Sequence, residues 1–146
     1  MRTLTATTVL CWFAWLALVP QTGWAQWSGN LISVIVFTCM AFGEYWGDTR
    51  PTAPNRTAPG PLLARFAFAG LAGALAAAGI GQPLTGGILF SLLGVFFGAF
   101  GGIRLRLWGS ARVGSDRPVA FGESALALAI AVFAAIMLHF EPQVKG

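Results

Sequence analysis

Apolar residues fall in five long runs, residues 4–19, 31–46, 62–80, 85–103 and 121–138, separated by short stretches rich in proline, glycine and polar side chains. Each run approaches the roughly 20 residues that a helix needs to cross about 30 Å of hydrocarbon. The second reaches that length if it begins at Trp27, which would set Trp27 and Trp46 at opposite interfaces as an aromatic belt. The breaks are residues 20–30, the proline-rich 47–61, the tight turn 81–84 and the polar stretch 109–118. None has room for a soluble domain. The pattern predicts an all-α polytopic transmembrane bundle of about five helices, with residues 1–146 forming a single integral membrane domain.

Composition agrees, since 56% of the 146 residues are hydrophobic and 10% are charged, against roughly 25% charged in soluble domains. A net charge of +4 in a soluble protein would suggest nucleic acid. The arginines give it another cause. Arg2 precedes the first run, Arg50, Arg56 and Arg65 flank the second break, and Arg104, Arg106, Arg112 and Arg117 flank the fourth, while the first and third breaks carry no charge. Cationic residues collect on the cytoplasmic side of short loops. The expected topology in a bacterial inner membrane is therefore N-terminus inside and C-terminus outside. Expected partners are membrane lipids, including anionic headgroups at the inner face, and not nucleic acid. Cys11 and Cys39 lie in apolar runs without metal-ligand companions and are expected to be small packing residues.

The first run has a rival reading. Arg2, the apolar stretch 9–19 and Gly23-Trp24-Ala25 before Gln26 resemble a secretory signal with its cleavage site. Charge placement does not separate a cleaved segment from a retained helix, and retention is the expectation.

The third and fourth runs are rich in small residues, among them Gly70 and Gly73 in the third and Gly94, Gly98 and Gly102 in the fourth. The last three recur every four residues and share one helical stripe. Small residues let helix backbones approach closely in a membrane. The expected use is packing of the third helix on the fourth, with a homo-oligomeric seam as the other reading, and Gly98 is expected to refuse a large side chain.

Residues 43–65 concentrate the charge. Glu44 and Asp48 are spaced to share a helix face, and a hairpin of the second and third helices would return Arg65 to the depth of Glu44. Arg104, at the end of the fourth run, and Glu123, at the start of the fifth, are expected at the same inner boundary. Glu44, Asp48, Arg65, Arg104 and Glu123 thus form the candidate polar cluster, joined by a stiff, extended proline connector bearing Arg50 and Arg56. Three carboxylates could hold a divalent cation, but their spacing fits no loop motif and arginines compete for them, so neither metal nor cofactor is expected. His139 is expected to be a solvated neighbour of Glu141. No Ser, His and Asp arrangement and no nucleotide-binding loop is present, and an enzyme is not expected.

Arg2-Thr3-Leu4-Thr5, Glu44 with Asp48, the turn Pro54-Asn55-Arg56-Thr57 with Pro59, and Ala64-Arg65 leading to Gly70 and Gly73 together resemble an uncharacterised family of small bacterial integral membrane proteins, domain-of-unknown-function family 4126. The likeness runs from Arg2 to about Val132. Glu123 matches an acidic start to the last helix, but Ser124 stands where an Asp is usual in that family. The resemblance implies a membrane location, a retained first helix and no assigned reaction. The functional expectation is a non-enzymatic structural or interaction protein with a polar cluster at its cytoplasmic face; the alternative is a small channel or transporter for an ion or solute.

Overall fold

The computed structural model describes residues 4–47, 59–113 and 116–140, which are almost wholly helical, with no strand among them. Five α-helices follow in order: α1 Thr5–Trp15, α2 Leu31–Gly47, α3 Pro59–Gly79, α4 Leu84–Val113 and α5 Asp116–Phe140, with a 3-10 helix Gly23–Gly29 between α1 and α2. Among the described residues two helices hold stretches long and apolar enough to cross a bilayer, Leu62–Gly79 and Phe121–Phe140, and a third is obtained if the 3-10 helix and α2, bent by 65° at their junction, are counted as one span. Trp27 accordingly does not begin α2. It lies in the 3-10 helix and turns back so that its ring meets Phe37 at 6.0 Å.

α1 is the centre of the bundle, packing on α2, α3, α5 and the 3-10 helix. It is shorter than the apolar run that encodes it, because the chain turns at Leu16. Ala17 adopts φ 56°, its N–H donates to Ala14 O at 3.1 Å and the Leu18 N–H donates to Phe13 O at 2.9 Å. This pair of bonds with a left-handed residue between them is a Schellman stop, made here with alanine where glycine is usual, and Pro20 follows it. Beyond the stop, Ser28 and Ala25 are buried, and a Cβ on Gly29 would stand 3.5 Å from Ala14 O. The first break is thus folded back onto α1. Leu10, Ala25, Ala72 and Leu75 form the apolar core, so the residue before the signal-like cleavage point is fully enclosed.

The longest helix contact is the α3 and α4 hairpin. Its closest approach is at Gly73 and Gly87: a Cβ on Gly73 would lie 2.7 Å from the Gly87 carbonyl carbon and 2.5 Å from Ser91 Oγ, and one on Gly87 would lie 2.8 Å from Ala77 Cβ. Dispersion between backbones in direct contact holds such pairs where lipid supplies no hydrophobic drive. Gly70 is nearer the rim of this contact, where an added Cβ would lie 3.9 Å from Ile88 Cγ2. A Cβ on Gly94 would meet nothing within 4 Å, and Gly98 is half-buried; the Gly102 side is outside the described surface. The hairpin therefore closes about two turns earlier than the 94–98–102 stripe.

α4 is 30 residues long, roughly 45 Å, and runs through the stretch from 109 that hydropathy marks as loop. α5 begins at Asp116, so Glu123 sits about two turns inside it rather than at its start. Pro59 and Pro61, expected in the connector, open α3 instead. Proline is tolerated in a first turn because the N–H groups there lack helical acceptors in any case.

Candidate functional site

The N-terminal ends of α1 and α3 meet the C-terminal end of α2. The Leu4 N–H, the amide at the N-cap of α1, donates to Glu44 Oε2 of α2 at 3.1 Å. A carboxylate there both accepts an amide that the helix leaves unpaired and faces the positive end of its dipole. Thr5 Oγ1 and Tyr45 OH are hydrogen-bonded at 2.9 Å. Thr7 Oγ1 donates to Phe68 O of α3 at 3.3 Å. The Thr8 hydroxyl has one proton for two carbonyls, Leu4 O at 2.9 Å and Phe37 O of α2 at 3.1 Å. One turn on, Trp12 Nε1 donates to Thr38 Oγ1 at 3.1 Å. α1 is thus tied to both neighbours by hydroxyls on its buried faces.

These bonds fix the levels of the helices. Thr7 opposite Phe68 and, further along both, Gln21 opposite Leu75 make α1 and α3 run parallel and set Arg65 level with Leu4, the residue Glu44 holds. Glu44 and Arg65 therefore occupy one layer, both half-buried, with Arg65 Nε enclosed and each residue engaged within the chain. Glu123 is likewise half-buried and engaged. Arg104 is elsewhere. The Gly73 and Gly87 contact sets Arg65 level with residues near 95 on α4, so Arg104 stands roughly 13 Å further along the axis, on an exposed face. Hydropathy placed it with the others because the apolar run ends at Ile103; the helix itself continues. Asp48, Arg50 and Arg56 lie outside the described residues.

At the opposite end, the Gln21 side chain donates through Nε2 to Leu75 O at 3.2 Å, and His139 Nδ1 lies 2.6 Å from Leu18 O. A carbonyl only accepts, so Nδ1 carries the proton. His139 is not merely a solvated neighbour: it closes the end of α5 on the turn that stops α1. Among the described residues no three His, Cys, Asp or Glu side chains gather as a metal site.

Thr7, Thr8 and Tyr45 were not singled out by sequence reasoning, and Thr5 entered only as part of the stretch Arg2-Thr3-Leu4-Thr5. A signal existed, since hydroxyls at 5 and 8 share a helix face within an apolar run, where each must find an acceptor. No family model, curated protein or solved structure matches the chain.

Proposed function

We propose that the chain is a polytopic protein of the bacterial inner membrane that passes the bilayer five times in alternation, the first passage made by the short α1 together with the segment after its stop, and that its role is structural or adaptor-like rather than catalytic. The membrane reading draws on the outward faces of the helices. Of Phe121–Phe140 only 6% is buried, against 33% of Leu62–Gly79, and Leu126, Ile130, Phe133 and Phe140 of α5 all stand exposed. A 20-residue apolar helix so little covered needs lipid or another membrane helix around it. The levels of α1, α2 and α3 are consistent with alternate passage, and the arginine distribution favours the Glu44 and Arg65 end as cytoplasmic.

One observation carries the structural role: the polar groups at that end are spent on bonds between helices. Glu44 accepts from the first amide of α1, and the threonines bind carbonyls of α2 and α3. In a membrane such groups hold helices together because no water competes for them. α1 belongs to the mature protein on this reading, since its removal would take Leu10 and Ala25 from the core. The intact mass of purified protein checks that point.

Reconstitution tests the role. Proteoliposomes with wild-type protein are expected to show no ion or solute flux above empty vesicles, while Glu44→Gln and Arg65→Ala loosen the bundle. Flux in wild type that vanishes in stably folded variants would establish the transporter alternative instead.

A further inference from the structure

Beyond the α1 stop the chain reaches the end of α3 and then doubles back. A Cβ on Gly79, the last residue of α3, would meet Val19 Cγ1 at 2.5 Å and Gln21 Nε2 at 3.1 Å. The 3-10 helix Gly23–Gly29 then folds over α1 and α3: Ala25 joins the core of Leu10, Ala72 and Leu75, Gly29 lies against Ala14, and the helix departs from the line of α2 by 65°. It lies across the bundle rather than along it. Its two sides differ. Ala25 and Ser28, three residues apart and so eclipsed on a 3-10 helix, are buried, while Trp24, Gln26 and the C-cap Asn30 are exposed. Trp27 is turned onto Phe37 and the Trp12 N–H donates to Thr38, which leaves Trp15 and Trp24, 43% and 48% exposed, as the outward rings at this end.

The helices around it set its depth. His139 of α5 is bonded to Leu18 O, so the apolar stretch Phe121–Phe140 ends here; its 20 residues are roughly 30 Å long, the thickness of the hydrocarbon. Thr7 opposite Phe68 sets Trp15 level with residues near 76, within one turn of Gly79. Roughly 30 Å counted back along α3 from Gly79 reaches Pro59. The Glu44 and Arg65 layer then lies roughly 9 Å inside the opposite edge, where charged side chains must be engaged as these are, and Arg104, roughly 13 Å beyond that layer, clears the hydrocarbon.

An indole couples a large apolar ring to one N–H donor, and such rings gather where hydrocarbon meets headgroups. A protein partner seated on the tryptophans would bury the amides of Gln26 and Asn30 with them, at the cost of their bonds to water. The lipid boundary takes the rings on one side and the amides on the other. We infer that the 3-10 helix is an interfacial element of the outer leaflet, held in its lipid boundary by Trp15 and Trp24, and not the upper part of the α2 span. The inference rests on the membrane reading above.

Nitroxide labels at Gln26→Cys and Asn30→Cys, in Cys39→Ala protein reconstituted in phosphatidylcholine bilayers, are the test; Cys11 is buried and stays in place. Depth is read from collisions with oxygen and with a water-soluble nickel chelate. A helix lying across the bundle is expected to hold both labels at headgroup level and within about 4 Å of each other in depth. A difference of about 8 Å, which four residues of upright 3-10 helix give, overturns the inference. Labels shielded from both reagents overturn it in favour of a docked protein partner. Trp24→Ala should move the Gln26→Cys label toward water at unchanged helicity, and a label that stays in place overturns the anchoring role of Trp24. A label at Phe133→Cys on α5 separates the two readings. If it meets oxygen and not nickel while the other two labels fail their expectation, the inference alone falls; if it meets nickel freely, the membrane reading falls with it.

Discussion

Ala17 holds a left-handed backbone at φ 56°, a conformation that costs an L residue with a Cβ about 1–2 kcal/mol. Glycine removes that cost but adds freedom to the unfolded chain. Ala17→Gly is therefore expected to stabilise the protein by about 0.5–1 kcal/mol, read as a higher midpoint in thermal unfolding in detergent. Thr7 gives the opposite case. Its hydroxyl bonds Phe68 O from a fully buried position, and valine keeps the shape without the proton. Thr7→Val should cost about 0.6–1.5 kcal/mol, the range of interhelical hydrogen bonds in membranes, measured by denaturation in mixed micelles. Neither residue advertises its role in sequence. Alanine carries no mark of positive φ, and threonine in an apolar run reads as mild polarity until its acceptor on another helix is known. Glu44 and Arg65 were more legible, because charge beside hydrocarbon demands a partner wherever the helices go.

Among the elements, the α3 and α4 hairpin makes the sharpest demand. Beside Ser91 Oγ, the atoms facing Gly73 are backbone atoms of Gly87, which cannot rotate aside as a side chain would. Gly73→Val is expected to cost about 1–3 kcal/mol or more through overpacking, while Gly94→Ala, facing open space, should stay within about 0.5 kcal/mol. Paired unfolding curves of the two variants check the register. Sequence periodicity located α2 well, with expected and observed starts both at Leu31. It misjudged α1 and α4 in opposite senses for one reason. Apolar content reports how much chain avoids water, not where a helix ends; a Schellman stop cut α1 inside its apolar run, and α4 extended past its own into the arginines. The same extension carries Arg104 out of the layer shared by Glu44 and Arg65, where hydropathy had placed it.

At the scale of the molecule, the arrangement predicts that a reporter fused after residue 146 reads as external and one placed at the N-terminus as cytoplasmic; the reverse pair would invert the proposed topology. The bundle also implies an order of construction. An 11-residue α1 is roughly 16 Å long, about half of the hydrocarbon that a lone segment must cross. Its first amide waits for Glu44, 40 residues later, and Thr7 for a carbonyl 61 residues later. The earliest made of the five helices described is therefore among the last to take its final place. Nascent chains that end before Phe68 should leave α1 open to added protease, and chains that extend through Gly79 should shield it.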